Sequence, residues 1–185
     1  MKEKELNIQT PDGLMTTFVT VPEENGPHPI ILFLMDAPGK REELHDMARR
    51  FATVGYYVML PNLYYRTSND FVSDFSEKSR VIQRQHMAAL NQQMVVNDFK
   101  VLIQYTAEDR DAKDGPIGCV GYCMSGPFAF AAASQISNRI RASASIHGVN
   151  LCNGSKDSPH LNANKIKGDV SENFIGLLES RLDVV

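Results

Sequence analysis

The residues predict an α/β fold: a mostly parallel sheet with helices on both faces and an antiparallel hairpin at its N-terminal side. Three observations carry this. Pro29 to Met35 is a continuous apolar run, the pattern of a strand buried on both faces. Strand-like and helix-like segments then alternate, the order that builds a parallel sheet and places ligands beyond the strand C-termini. Ahead of the run, two strand-like segments, the second rich in Thr and Val, flank Thr10-Pro11-Asp12-Gly13, where Pro presets one turn dihedral and Gly accepts a positive one.

Taken in order, Glu5 to Gln9 and Leu14 to Val21 are the hairpin strands. Val21 to Pro29 is a Pro-rich loop. Glu42 to Val54 is a helix, with Leu44, Met47, Ala48, Phe51 and Ala52 spaced by three and four, and Gly55 ends it. Tyr56 to Leu60 is the next buried strand, closed by Pro61. A polar, aromatic connection runs from Asn62 to Phe75. Val81 to Leu90 and Met94 to Thr106 have helical spacing, and Asp109 to Gly115 is an acidic turn. Pro116 to Tyr122 is a strand, Met124 to Ile136 a helix and Ala142 to Ile146 a strand. The loops after Met35, Leu60, Tyr122 and Ile146 therefore share one rim.

The chain has 185 residues, the size of one domain. Lys plus Arg is 19 against 22 for Asp plus Glu, which argues against a nucleic-acid partner. Hydrophobic residues make up 43%, enough for a packed core. The apolar run Ile30 to Met35 is far too short to span a bilayer, and Met1-Lys2-Glu3-Lys4-Glu5 leads into no signal-peptide core, so no membrane partner and a cytoplasmic location are expected. Cys119, Cys123 and Cys152 are too few for a disulfide framework and fit free thiols.

Gly121-Tyr122-Cys123-Met124-Ser125-Gly126 lies between a predicted strand and a predicted helix, the context of a nucleophile elbow. Such a turn needs small residues two positions either side of the nucleophile, here Gly121 and Ser125. Cys123 then projects from the strand end at a helix N-terminus, whose free N–H groups favour an anion. The Met124 N–H is an oxyanion donor in this arrangement. A phosphate loop is excluded because Pro127, not Lys, follows Gly126, and a dinucleotide fingerprint fails at Cys123. A buried structural cysteine at a strand end is the competing reading. Cys119 reads as core, Cys152 as a loop thiol, and neither joins a ligand set for a metal. No cofactor is expected.

These residues resemble the dienelactone hydrolase family, cysteine hydrolases of the α/β-hydrolase fold. The matching stretches are Met35-Asp36-Ala37-Pro38-Gly39, Asp46-Met47-Ala48, Gly55-Tyr56-Tyr57-Val58, Leu60 to Arg66, Gly121 to Gly126 and Ser158-Pro159-His160-Leu161. The resemblance runs from about Glu5 to about Val170. It implies hydrolysis of a carboxylic ester or lactone, of the carboxymethylenebutenolidase type, with Cys123 as nucleophile. It also implies that the Ala37 and Met124 N–H groups form the oxyanion hole. Asp36 stands where the best-known members carry a Glu that contacts the resting thiol. Arg80 or Arg84 falls where the family grips a substrate carboxylate, although a solvated helix face explains both. Tyr64, Tyr65 and Arg66 either line the substrate pocket or brace a loop.

A cysteine nucleophile needs a base, and the base an orienting acid. In this fold they follow the nucleophile in the order acid, then histidine. No histidine follows His160, and Asp169 and Asp183 stand in the wrong context for the acid. His147, at the end of a strand on the functional rim, is the substitute-base candidate. His45 and His86 read as surface residues, His28 and His160 as loop residues. The familial strand starts at Gly168-Asp169-Val170 and then diverges. Residues 1–170 thus form an incomplete domain lacking its final strands, and 171–185 a tail with helical spacing at Phe174, Leu177, Leu178 and Leu182. A sheet ending there exposes a long apolar edge and predicts self-association. Two rivals to hydrolysis are a binding remnant without turnover and a thiol sensor using Cys123.

Overall fold

A computed structural model describes residues 1–173. The described sheet has seven strands: β1 (Lys2–Thr10), β2 (Gly13–Val21), β3 (His28–Leu34), β4 (Tyr57–Pro61), β5 (Ala112–Tyr122), β6 (Ile140–Ile146) and β7 (Asp169–Asn173). Their spatial order is β1-β2-β4-β3-β5-β6-β7. The hairpin β1–β2 is antiparallel and joins β4 antiparallel, with Thr17 opposite Pro61. All other neighbours are parallel. Every side chain from Ile30 through Met35 is buried, which requires cover on both faces of β3.

Helix α1 (Glu42–Thr53) buries Leu44, Ala48 and Ala52, one stripe at a spacing of four. It packs on β2 and β4, and its Phe51 ring meets Phe33 of β3 at 5.7 Å. Helices α3 (Gln92–Thr106) and α4 (Gly126–Gln135) pack on each other and on β5. Every residue of α4 from Gly126 to Ser134 is buried. Its mostly small, apolar sequence is what a helix enclosed on all sides needs.

Boundaries shift where capping or long-range pairing decides. Helix α2 (Glu77–Ala88) starts four residues before the apolar spacing does, because the Ser76 hydroxyl accepts the Ser79 N–H and supplies the cap. Strand β5 extends back into the predicted acidic turn, where Ala112 pairs with His28. His28 is therefore not a loop residue: it opens β3, is buried, and bonds the Gly55 carbonyl through Nδ1 at 3.2 Å.

The expectation of missing final strands is corrected in part. Residues Asp169–Asn173 form β7 and pair in parallel with β6 from Ala142 to Ile146, crossing the expected boundary after residue 170. The close approach is possible because position 168 is Gly: a Cβ there would lie 2.3 Å from the Arg141 carbonyl oxygen. The described part of this outer strand reads Asp-Val-Ser-Glu-Asn. Phe174, Leu177, Leu178, Leu182 and Asp183 lie outside the described residues. No described helix is long and apolar enough to cross a membrane.

One polar clip ties the hairpin to the parallel strands. The Asp109 carboxylate accepts the Tyr57 hydroxyl at 2.8 Å, Lys4 Nζ at 3.3 Å and the Asp111 N–H at 3.0 Å. Burial pushes this carboxyl up, but the Asp111 N–H, Tyr57 and Lys4 outweigh it and hold Asp109 below the ordinary carboxylate range. A depressed folded-state pKa stabilises the fold above the unfolded value, and that stability is lost as pH falls through the folded one. Asp109→Asn is expected to cost roughly 1–2 kcal/mol at pH 7. In urea titrations at several pH values, the gap from the parent should close below about pH 4.

Candidate active site

Strand β4 lies on one side of β3 and β5 on the other. Chain direction outward from β3 thus reverses here, and a crevice opens beyond the C-terminal ends of β3 and β5. The segment after β3 (Met35 to Arg41) and Cys123 after β5 both emerge at that crevice.

Cys123 has φ +52°. The left-handed region costs a non-glycine residue about 1–2 kcal/mol, and such strain concentrates at functional turns. The surroundings leave the chain no alternative. A Cβ on Gly121 would lie 2.2 Å from the Ser125 carbonyl oxygen, so the strand and the turn meet backbone to backbone. The Ser125 hydroxyl donates to the Met35 carbonyl, tying the turn to the end of β3. The Cys123 carbonyl accepts the Val149 N–H at 3.3 Å. Gly126 opens α4 against the next loop, where a Cβ would sit 2.5 Å from Gly148 Cα. Residues 123–125 form a single 3₁₀ turn before α4.

The three cysteines sit in different environments. Cys119 is in the core of β5, and burial pushes its thiol far up, so it is inert. Cys152 is exposed on a loop. Cys123 is half-buried at the crevice, and among the described residues its sulfur has no hydrogen-bond partner.

Tyr64 is buried, and its hydroxyl reaches the Ala37 carbonyl at 2.9 Å and Met124 Sδ at 3.1 Å. It braces a loop rather than lining a pocket, and it joins the two segments whose N–H groups were assigned to the oxyanion hole. Burial first, then the nearby Asp36 and Cys123, push its hydroxyl up, so it stays a protonated donor. Tyr65 and Arg66 also brace. The Tyr65 hydroxyl bonds Thr10 and Asp98, and Arg66 grips Asp98 through two nitrogens at 2.8 and 2.9 Å. Neither Tyr64 nor Ser125 carries a sequence signal for this duty, because it depends on side-chain direction across elements.

Asp36 is engaged by Arg41 through both carboxylate oxygens, at 2.5 and 3.0 Å. Its hydrogen bonds do not run to the Cys123 thiol. Arg41 also donates to the Gly39 carbonyl at 3.0 Å, fixing the loop that carries Ala37. Arg80 and Arg84 are exposed on α2. His147 follows Ile146, which pairs with Tyr122, so His147 and Cys123 leave adjacent strands at the same level. His147 is exposed, with φ +52°.

Of the remaining histidines, His86 and His45 are half-buried rather than on the surface, whereas His160 is exposed in a turn, as expected. His86 is half-buried, stacks on Tyr64 at 5.1 Å and bonds Thr67 through Nδ1; burial pushes its ring pKa down. His45 stacks on Phe18 at 4.2 Å. His160 Nδ1 meets the buried Ser158 hydroxyl at 2.7 Å. Among the described residues no group of three or more His, Cys, Asp or Glu could hold a metal ion. Asp169 opens β7 at the end opposite the crevice. Beside the elbow, a cleft of about 440 Å³ opens between the α2–α3 connection, the start of α4 and the loop after β6.

Comparison with known proteins agrees with this layout. The model of the dienelactone hydrolase family matches residues 15–174. A candidate carboxymethylenebutenolidase of Methylorubrum extorquens is 26% identical over 122 residues, 66% of this chain and 41% of that protein. The carboxymethylenebutenolidase of Pseudomonas putida is 24% identical over 157 residues, 84% of this chain and 65% of that protein. The chain thus spans roughly half the length of these curated relatives. The crystal structure of a candidate dienelactone hydrolase from Klebsiella pneumoniae covers 92% of this chain and 70% of its own at 20% identity, with a TM-score of 0.77, a likeness of fold.

Two substitutions test this geometry. Gly121→Ala forces a Cβ onto the Ser125 carbonyl and is expected to cost at least about 2 kcal/mol, read as a lowered urea midpoint. Tyr64→Phe removes the brace on Ala37 while keeping the ring. It should leave the fold intact and slow acylation of Cys123 by an activated ester by about 10-fold, the scale of one lost positioning contact. Unchanged acylation would deny Tyr64 that role.

Proposed function

Because the chain belongs to the dienelactone hydrolase family, we propose that it acts on a carboxylic ester or lactone through the thiol of Cys123. The sulfur attacks the carbonyl carbon. The C–S bond forms, the ester C–O bond breaks, and the alcohol leaves with a proton. Water then attacks the thioester, releasing the acid and restoring the thiol. The negative charge of each tetrahedral intermediate falls to the N–H groups of Ala37 and Met124. The observation that supports this reading is the positive φ of Cys123 at a strand-to-helix turn, a conformation that aims the sulfur into the crevice. A cytoplasmic setting, where a thiol stays reduced, belongs to the same proposal.

A second reading is favoured by a specific observation: among the described residues no histidine is hydrogen-bonded to the Cys123 thiol, and Asp169 lies away from the crevice. Acylation then outpaces deacylation, because no described histidine is bonded to the thiol to activate the water of the second step. His147 is the residue of these strands nearest that role by its level on the rim.

The test is the time course of p-nitrophenolate release from p-nitrophenyl acetate, beside Cys123→Ala. Hydrolysis predicts many turnovers that vanish in the variant. The second reading predicts one equivalent and then a stop, with a 42-Da acetyl adduct (about that mass) on Cys123 by peptide mass spectrometry. Equal release by parent and variant sinks both.

A further inference from the structure

We infer that the cleft beside the elbow selects esters bearing an uncharged apolar group and disfavours esters that carry a carboxylate. The cleft adjoins residues next to the nucleophile, although Cys123 itself is not part of its wall. Met124, which follows Cys123, forms part of its wall, and so does Val149, whose N–H bonds the Cys123 carbonyl. Its volume of about 440 Å³ is in the range of small-molecule sites.

The chemistry of the wall decides what enters. Met87, Leu90, Met124, Pro127, Phe128 and Val149 supply an apolar surface. Thioethers and an aromatic ring adapt to the shape of an apolar group. The polar groups at the rim are neutral amides and a hydroxyl, apart from Asp157. Asp157 is the one ionisable residue among those lining the cleft, an acid with no base beside it in the wall. Gln92 donates to the Asp157 carbonyl at 2.7 Å, which holds α3 to the loop across the rim.

A carboxylate seated here would lose its hydration with no cation among the lining residues to replace it, beside an acidic one. The described arginines nearest the site in sequence or by family resemblance are engaged or placed elsewhere. Arg80 and Arg84 are exposed on α2 and do not line the cleft. Arg41 is spent on Asp36. A butyl-sized or aryl group meets none of these penalties and removes apolar wall from water, which stabilises the complex.

This inference rests on Cys123 as the acylated residue, so the test follows the adduct. The full chain is treated with p-nitrophenyl butyrate and with p-nitrophenyl hemisuccinate, a pair matched in length that differ by a carboxylate on the acyl side. A second pair, phenyl acetate and 3-carboxyphenyl acetate, places the same difference on the alcohol side. Each rate of adduct formation on Cys123 is divided by that ester's rate with N-acetylcysteine. The thiol sulfur takes the acyl group, the C–O bond breaks, the phenol leaves as phenolate and the thiol proton passes to solvent.

The neutral ester is expected to lead by at least about 10-fold in one of the two pairs, the scale of an uncompensated charge near a like charge. Val149 is 41% exposed, so Val149→Arg should fold, checked by circular dichroism, and should narrow the gap in that pair several-fold. Equal or faster adduct formation by the anionic esters in both pairs overturns the selectivity while leaving the nucleophile in place. Absence of both a Cys123 adduct and Cys123-dependent phenol release from all four esters overturns the reading of the nucleophile, and the selectivity with it.

Discussion

A residue with a β-carbon stays at positive φ only where its neighbours forbid every other path, and Cys123 is held in that way. The turn after β5 brings Gly121 and Ser125 together at backbone distance, and only hydrogen fits between them. The helix that follows is anchored by close packing of Gly126 on Gly148. Sulfur position, helix direction and the end of β5 are therefore one constraint. Relieving it at any point moves all three.

The second segment of the site is built by polar contacts rather than by tight backbone packing. The loop after β3 is tied down three times: Ser125 bonds the Met35 carbonyl, Arg41 holds Asp36 and Gly39, and Tyr64 holds the Ala37 carbonyl. Ser125 and Tyr64 come from other elements, whereas Arg41 closes the loop from its own end. A buried carbonyl left without a donor would cost about 1–3 kcal/mol, so these bonds fix the loop while satisfying it. The result is two N–H-bearing segments, one from each side of the β3–β5 crevice, held in register by Tyr64.

The same logic extends below the site. Arg66 lies over the Tyr65 ring at 4.4 Å and pairs with the buried Asp98. That joins the loop after β4 to α3, whose start faces the cleft. The acidic balance of the chain, a net charge of -3, is not uniform in effect. Most of the carboxylates that shape the fold are paired, as Asp36, Asp98 and Asp109 are, whereas the cleft wall carries one acid and no base among its lining residues.

Much of the fold was legible because its signals are local. The unbroken apolar run of β3 requires cover on both faces wherever it is placed. The spacing of Leu44, Ala48 and Ala52 makes one stripe of α1 apolar in any context, and Gly121, Cys123 and Ser125 meet the steric needs of a tight strand-to-helix turn by size alone. What tertiary structure decided depends on groups far apart in sequence. The pairing of β7 with β6 required the backbone of Arg141 to meet a residue without a side chain 27 positions later. The direction of the Tyr64 hydroxyl and the choice of Arg41 by Asp36 were open in the sequence, because a side chain's partner is set by whichever element packs over it. The burial of His28 and His86 was hidden for the same reason. Residue type and spacing determine what an element can do, and the packing of distant elements determines which of those things it does.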